Sequence, residues 1–208
     1  MLFTKREEKT IRYYNKHARE WAEERNPKHK SFWDGDVKRF NELISKGKII
    51  EIGSGSGREA NRLIALGYDY LGTDVSKGLL RVAKENNPNG KFLLKNDYDL
   101  DFLPESFDGF WSSATLLHVP KSRIRRVLKN IKRILKHGAI GFISLKENKS
   151  ESESIEEKTG RYFFYYKIDE FKAILKNVDF EIIEANQKKQ TKENDDVVYW
   201  LTFFVKKT

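Results

Sequence analysis

Around residue 50 the chain reads Ile50-Glu51-Ile52-Gly53-Ser54-Gly55-Ser56-Gly57-Arg58, an apolar segment followed by a glycine-rich turn. A strand, a glycine turn and a helix in this order are the context in which nucleotide ligands are bound. Glycine has no Cβ, so the backbone can turn sharply and come close to a ligand. The spacing is G-x-G-x-G, and Arg58 stands where a pyrophosphate-binding G-x-G-x-x-G loop has its third glycine. Taken alone, this stretch is compatible with a ligand site or with a plain turn.

From residue 48 onward, short apolar segments alternate with amphipathic ones, which predicts a parallel sheet covered by helices. The predicted strands occupy residues 48–52, 68–73, 91–95, 107–112 and 139–146. The predicted helices occupy residues 58–66, 76–86, 121–136 and 168–178. Gly138 follows the third of these helices and is expected to cap its C-terminus in a left-handed conformation.

Three other parts of the chain do not follow this alternation. Residues 10–25 have helical character, and residues 147–159 are polar and predict an exposed loop. Residues 180–185 and 197–205 predict two strands of an antiparallel hairpin joined by a turn-rich stretch at 187–196. We therefore expect one domain over residues 1–208, with an N-terminal helical cap at 1–46 and a core at 47–208.

The composition excludes several classes of protein. Aromatic residues make up 13% of the 208 residues, which is ample material for a core and argues against a disordered chain. With no cysteine, there is no disulfide framework and no thiolate metal site, and the four histidines show no ligand spacing. No apolar run approaches the ~20 residues of a membrane span, and the start lacks a secretory signal. We expect a cytoplasmic protein with no metal and no membrane partner.

Two carboxylates follow neighbouring predicted strands. Asp74 lies at the end of the second strand, 21 residues after Gly53, where it can accept hydrogen bonds from a ribose hydroxyl pair. The alternative role is a cap for the helix at 76–86, although Ser76 would serve equally well. Asp97 ends the third strand, where it can accept from an adenine amino group, and Tyr98 can cover the ring. Because open α/β sheets bind ligands at the carboxyl ends of their strands, these motifs reinforce the glycine turn.

Together with three further segments, these motifs resemble class I S-adenosylmethionine-dependent methyltransferases, and they occur in the order found in small single-domain members. The further segments are Phe107-Asp108-Gly109-Phe110-Trp111, His118-Val119-Pro120 and Ile134-Leu135-Lys136-His137-Gly138-Ala139. The resemblance extends from about residue 10 to the final hairpin. It implies an α/β fold, a Rossmann-like three-layer sandwich whose seven-stranded sheet is mostly parallel with the last strand antiparallel. It also implies an enzyme that uses S-adenosylmethionine as its cofactor.

The resemblance assigns cofactor-binding roles by position. The three glycines of the turn would lie beneath the methionine part, Glu51 would lie near the methionyl amine, and Ser112 and Ser113 would border the sulfonium. The complete predicted cofactor set is Glu51, Gly53, Ser54, Gly55, Gly57, Asp74, Val75, Asp97, Tyr98 and Ser113.

His118 is the candidate catalytic residue, because it follows the fourth strand near the place where the transferred methyl group should point. It can act as a general base or orient the substrate. The alternative is a loop histidine that hydrogen-bonds the backbone beside Pro120. Methyl transfer from a sulfonium has a good leaving group, so positioning and desolvation can supply most of the acceleration without a base.

The acceptor is expected between the N-terminal helix, the His118 loop and the aromatic segment at 161–166. The predicted substrate residues are Tyr14, Trp21, Arg161 and Tyr165. Aromatic walls exclude water, and Arg161 can bind a carboxylate or phosphate. The alternative is that the aromatic run belongs to the core. We expect in-line methyl transfer to a small-molecule acceptor by a monomer or homodimer.

Charge leaves one strong alternative open. Residues 121–137 carry eight basic side chains and no acidic one, which accounts for nearly all of the net charge of +9. This favours an RNA (tRNA) methyltransferase as the second hypothesis, with nucleic acid as a less favoured partner. A charge run on a helix is more often its solvated face. A nucleotide-binding module without catalysis is the third hypothesis, and a nicotinamide-dependent dehydrogenase is a distant fourth because of Arg58.

Overall fold

The computed structural model describes residues 3–24, 32–148, 150–191 and 196–208. Residue 25, where the predicted N-terminal helix ends, and residues 192–195 of the predicted turn lie outside these ranges. In the described residues, no helix is both long and apolar enough to cross a membrane.

A seven-stranded sheet forms the centre, in the order β3-β2-β1-β4-β5-β9-β8. Its strands β1 to β5 pair in parallel, whereas β9 runs antiparallel to both β5 and β8. This confirms the expected fold class, including the antiparallel last strand. The strands are β1 (Lys48–Ile52), β2 (Asp69–Asp74), β3 (Lys91–Leu94), β4 (Phe107–Ser113), β5 (Leu135–Glu147), β8 (Phe180–Thr191) and β9 (Val197–Lys207), and a separate hairpin pairs β6 (Glu153–Ile155) with β7 (Tyr162–Phe164).

Seven helices are present in the described residues. They are α1 (Lys5–Lys16), α2 (Ala18–Glu23), α3 (Asp34–Leu43), α4 (Ala60–Ala65), α5 (Lys77–Asn86), α6 (Lys121–Ile134) and α7 (Ile168–Asn177). A short 3-10 helix, Leu116–His118, follows β4. The apolar residues of α6 recur at i, i+3, i+4 and i+7 spacing and are fully buried, while its basic residues lie on the other face. This is the amphipathic helix that the sequence pattern predicts.

Aromatic packing fixes the position of α3 on the sheet. Trp111 of β4 stacks on Phe142 of β5, with 3.9 Å between the ring centroids. Trp33, at the start of α3, meets Phe142 and Trp200 edge-on at 6.0 and 5.2 Å. Each of these large side chains contributes roughly 1.5–3 kcal/mol through burial. This packing brings Trp33 and Trp200, which are far apart in the sequence, to the same end of the sheet.

The predicted glycine cap of α6 is wrong. The helix ends at Ile134, and Leu135 is already extended and pairs with Phe107 at the start of β5. Gly138 has a φ of +78°, but it lies inside β5 where the register with β4 shifts. The left-handed glycine therefore belongs to a β-bulge and not to a helix end.

Three predicted boundaries also differ. The polar stretch 147–159 contains β6, which pairs with β7 and is therefore not only a loop. The sequence predicted a turn from residue 187, but β8 continues to Thr191. It does so because the polar half of this edge strand also pairs with β9. α4 begins at Ala60 instead of residue 58, since the glycine turn continues through Glu59.

Candidate active site

A cavity of about 780 Å³ opens at the carboxyl ends of β1, β2, β3 and β4 and extends to an aromatic wall. Its size falls within the ~300–1,000 Å³ that is typical of small-molecule sites. Three predicted site residues, Glu51, Gly57 and Tyr165, do not line it. The predicted residues that line it are Tyr14, Trp21, Gly53, Ser54, Gly55, Asp74, Val75, Asp97, Tyr98, Ser113, His118 and Arg161.

The glycine turn has a different constraint at each glycine. Gly53 has a φ of +73°, and a Cβ there would lie 2.2 Å from Cγ2 of Thr115. Gly57 has a φ of +79°, and a Cβ there would lie 2.4 Å from Nδ2 of Asn87. Gly57 therefore packs against Asn87, and it does not line the cavity. A Cβ on Gly55 would meet no atom within 4 Å. Gly55 therefore keeps open a part of the cavity wall.

Asp74 is buried at the end of β2 and ties the glycine turn to α5. Its Oδ2 accepts from the backbone N–H of Gly55 at 2.9 Å, and its Oδ1 accepts from that of Ser76 at 2.7 Å. The side chain of Ser76, and not Asp74, caps α5 by accepting from Leu79 N–H at 3.2 Å. Burial raises the pKa of Asp74, while the backbone donors lower it. Since each carboxylate oxygen has a second lone pair, Asp74 can still accept from a ligand hydroxyl.

Asp97 and Tyr98 form the wall beyond the end of β3. Desolvation, together with the negative charges of Asp74 and Glu7, raises the pKa of the half-buried Asp97 to about 7. Tyr98 is buried and donates its hydroxyl to Glu7 of α1, while Arg123 lies over its ring at 5.4 Å. Burial and Glu7 raise the pKa of Tyr98, so its hydroxyl remains a donor.

Affinity for S-adenosylhomocysteine is expected to fall by about tenfold from pH 8 to pH 6. If Asp97 accepts from the adenine amino group, as the resemblance implies, its ionised form makes a charge-assisted hydrogen bond, and the charge is lost below its pKa of about 7. Calorimetric titrations at pH 6, 7 and 8 measure this dependence. Asp97→Asn keeps an acceptor oxygen and does not titrate, so its affinity should be flat over this range. A flat wild-type profile would contradict the assignment.

Glu51 lies behind the glycine turn and not at the cavity. It is fully buried and accepts a hydrogen bond from the Tyr70 hydroxyl. Burial, with the negative charge of Glu59, raises the pKa of Glu51 well above its ordinary range. The carboxylate that lines the cavity here is Glu59, which accepts from Arg58 Nε at 2.6 Å. Sequence reasoning missed Glu59, although its place just after the third glycine marks the end of the turn.

The ring of His118 has a defined tautomer. Nδ1 lies 2.6 Å from the carbonyl oxygen of Tyr162, and a carbonyl can only accept, so Nδ1 carries the proton. Nε2 then accepts from the Tyr14 hydroxyl at 3.0 Å. Burial, against the opposing effect of the Tyr162 bond and with the positive charges of Arg161 and Lys146, lowers the pKa of His118 to about 3. The imidazole is thus neutral and bonded to the backbone, as the loop-histidine alternative expects, and it also lines the cavity, while its catalytic role stays a prediction.

Arg161 holds the N-terminal helices against the β6–β7 hairpin. Its Nη1 donates to the Tyr14 hydroxyl at 2.9 Å, and its Nε donates to Glu156 at 3.1 Å. Four rings surround its guanidinium at 4.5–5.3 Å, namely those of Tyr13, Tyr14, Trp21 and Phe163. The carboxylate that sequence analysis expected from a substrate is therefore supplied by Glu156 of the chain itself.

Tyr165 is the predicted substrate residue that lies elsewhere. Its hydroxyl is 2.7 Å from Oγ of Ser154 within the hairpin, and Tyr166 is in the core. Phe163 is the member of this aromatic run that, with Arg161, lines the cavity. The alternation of a strand explains why neighbouring ring positions separate into core and cavity.

The far wall of the cavity, which we call the acceptor wall, includes three residues that sequence reasoning missed, Lys146, Val198 and Trp200. It consists of Trp33, Lys146, Phe163, Val198 and Trp200. Lys146 and Trp200 are direct partners across β5 and β9. The exposed basic residues of α6 are not among the lining residues. The described residues contain no cluster of acidic and histidine side chains suited to a metal ion.

Comparisons with known proteins show what the chain is similar to in sequence and in fold. Residues 50–143 match the model of a methyltransferase domain family. The chain is 29% identical over 161 residues to O-methyltransferase rstn1 of Aspergillus nomiae, covering 69% of this chain and 68% of that protein. Among solved structures, it is similar to an S-adenosylmethionine-dependent methyltransferase from Methanosarcina mazei, with a TM-score of 0.73, 22% identity and coverage of 82% and 96%.

Another similar structure was solved with ligands bound. The 1,6-didemethyltoxoflavin-N1-methyltransferase of Burkholderia thailandensis, with 1,6-didemethyltoxoflavin and S-adenosylhomocysteine bound, matches with a TM-score of 0.76 at 15% identity. The match covers 100% of this chain and 92% of that one. Over residues 50–143 the chain therefore matches a methyltransferase domain, and it shares its fold with S-adenosylmethionine-dependent methyltransferases of known structure.

Proposed function

We propose that the chain transfers a methyl group from S-adenosylmethionine to a small-molecule acceptor held in the same cavity. The observation that carries the proposal is the continuity of this cavity of about 780 Å³. It joins the glycine turn and Asp74 at one end to the aromatic acceptor wall at the other. Both ligands can therefore be held side by side in one cavity, as an in-line displacement between them requires.

The residues at the strand ends fit the cofactor. Gly55 leaves space where any other side chain would project, and Asp74 provides a buried carboxylate for a ribose. Asp97 and Tyr98 suit an adenine, as an acceptor for its amino group and an apolar surface for its ring. Ser113 lines the cavity between this part and His118. When bound here, S-adenosylmethionine supplies an electrophilic methyl group.

We infer that His118 acts through Tyr14. Its pKa of about 3 keeps the imidazole neutral, and its Nε2 already accepts from the Tyr14 hydroxyl. Arg161 donates to the same hydroxyl, so the phenol is fixed from two sides. Tyr14 and His118 both line the cavity, and His118 is the positioning residue that orients the Tyr14 hydroxyl. This arrangement suits catalysis by orientation and exclusion of water.

Small-molecule transfer is tested with radiolabelled S-adenosylmethionine, supplied with either a metabolite extract or total RNA. We expect label in the small-molecule fraction. The matched control neutralises the exposed basic residues Arg125, Arg126 and Lys129 of α6, and label transfer to small molecules should be unchanged. Label found only in RNA, and lost together with these three charges, would replace the proposal by RNA methylation.

A further inference from the structure

A glutamine next to the acceptor wall has a side-chain amide of defined orientation. Gln190 lies near the end of β8, is half-buried and lines the cavity, and its partner across the strand pair is Val198. Nε1 of Trp200 lies 2.8 Å from Oε1 of Gln190. An indole N–H can only donate, so the atom that faces it must be the amide oxygen and not the amide nitrogen. The indole of Trp200 thus fixes which end of the Gln190 amide points away from it.

We infer that the small-molecule substrate carries a carbonyl oxygen or an unprotonated ring nitrogen, and that Gln190 recognises this atom by donating an amide N–H to it. The inference rests on the proposed function, since it names a chemical feature of the molecule held against the acceptor wall. Among the described residues, the side chain of Gln190 makes one hydrogen bond, the one that it accepts from Trp200. Because that bond engages Oε1, the group that Gln190 presents to a ligand is the donor Nε2.

The apolar neighbours of this amide make the match selective. Val198 and Trp200 flank Gln190, and Trp33 meets Trp200 edge-on, with 5.2 Å between the ring centroids. A flat molecule that covers these side chains also removes water from the amide. A substrate without an accepting atom then leaves the N–H groups without a partner, which costs binding energy. A site of this kind rejects an analogue that lacks the matching polar atom more strongly than an apolar pocket can.

The alternative role of Gln190 is structural, as the partner of the Trp200 indole. Gln190→Glu separates the two roles, because it keeps an oxygen for the indole N–H but has no side-chain N–H of its own. Gln190→Leu removes both functions. The matched control is Gln187→Leu, which changes an exposed residue of the same strand that does not line the cavity.

Three flat bicyclic probes test the preference: quinoline, whose ring nitrogen accepts, indole, whose N–H donates, and naphthalene, which does neither. Each is titrated by ligand-observed NMR at pH 8, where quinoline is uncharged, against protein saturated with S-adenosylhomocysteine. The ratio of quinoline affinity to naphthalene affinity is compared between variants, so that the different hydrophobicities of the probes cancel. We expect this ratio to fall by about three- to tenfold in both Gln190→Leu and Gln190→Glu, as the loss of one neutral hydrogen bond predicts. In Gln187→Leu it should stay within about twofold of the wild-type ratio, and Gln190→Glu should bind indole more tightly than the wild type does.

Binding of S-adenosylhomocysteine is measured on every variant, and it should change by less than about twofold, because β8 lies at the opposite edge of the sheet from β3 and β2. Failure of the wild type to bind it would overturn the proposed function, whatever the probes show. Three results, each with normal binding of S-adenosylhomocysteine, would overturn recognition by Gln190 alone. They are no binding of quinoline by the wild type, an unchanged ratio in Gln190→Leu, and a wild-type ratio in Gln190→Glu, which would leave Gln190 as a support for Trp200.

Discussion

Asp74→Ala is expected to weaken the binding of S-adenosylmethionine by at least about 100-fold, since charge-assisted hydrogen bonds contribute ~1.5–3 kcal/mol each. The substitution removes the buried acceptor for the ribose. It also releases the backbone N–H groups of Gly55 and Ser76, which Asp74 holds at 2.9 and 2.7 Å. The hydrogen bonds that tie the glycine turn to the start of α5 are therefore lost at the same time. Equilibrium dialysis with radiolabelled cofactor measures the loss.

Asp74→Asn is the matched control, because it keeps the shape and one acceptor oxygen but removes the charge. It should bind with an affinity between those of the wild type and Asp74→Ala. Circular dichroism and thermal unfolding verify that both variants fold. If a folded Asp74→Ala protein binds the cofactor as the wild type does, the carboxylate serves only the loop and the ribose assignment is wrong.

Gly53→Ala is expected to destabilise the protein by about 2–5 kcal/mol, which combines the cost of a left-handed residue with that of overpacking. Its Cβ would lie 2.2 Å from both Cγ2 and Oγ1 of Thr115, at a φ of +73°. Thr115 cannot move without losing its own hydrogen bonds to the Gly53 and Ser113 carbonyls, both 3.2 Å long. For a chain of this size, the melting temperature should fall by about 5–15 °C.

Gly67→Ala separates strain from steric overlap. Gly67 has a φ of +88°, and a Cβ there would meet no heavy atom within 4 Å, so only the backbone cost remains. The melting temperature of Gly67→Ala should fall by roughly a third to a half as much as that of Gly53→Ala. Gly53→Ala combined with Thr115→Gly should recover part of the loss. Equal effects of Gly53→Ala and Gly67→Ala would show that Thr115 does not confine the turn.

The sheet and the cofactor end of the cavity were predictable from sequence because their signals are local. β1 to β4 each have an apolar run that ends in a turn, and the residues that follow lie along one edge of a parallel sheet. Asp74 and Asp97 could thus be placed together without knowledge of any tertiary contact. Tyr14 and His118 were also expected near one another, although the 3.0 Å bond between them needed the structure.

Lys146 and Trp200 of the acceptor wall could not be predicted, because their positions depend on pairing between distant segments. Lys146 faces Trp200 only through the register of β5 and β9, and no local pattern marks either residue. Arg161 looked like a free anion-binding group because Glu156, its partner, directly follows β6 in a small hairpin that the polar sequence did not suggest. Glu51 and Glu59 are both carboxylates beside the turn, and only the path of the backbone shows which one reaches the cavity.

The most direct test of the account is calorimetric titration of the wild-type protein with S-adenosylhomocysteine, with NADH as the parallel ligand. We expect saturable binding of S-adenosylhomocysteine at one site, with a dissociation constant in the micromolar range, and no heat from NADH. A micromolar constant corresponds to a binding free energy of about −8 kcal/mol. A folded protein that fails to bind S-adenosylhomocysteine, or that binds NADH instead, would contradict the account and leave the glycine turn as the site of another ligand.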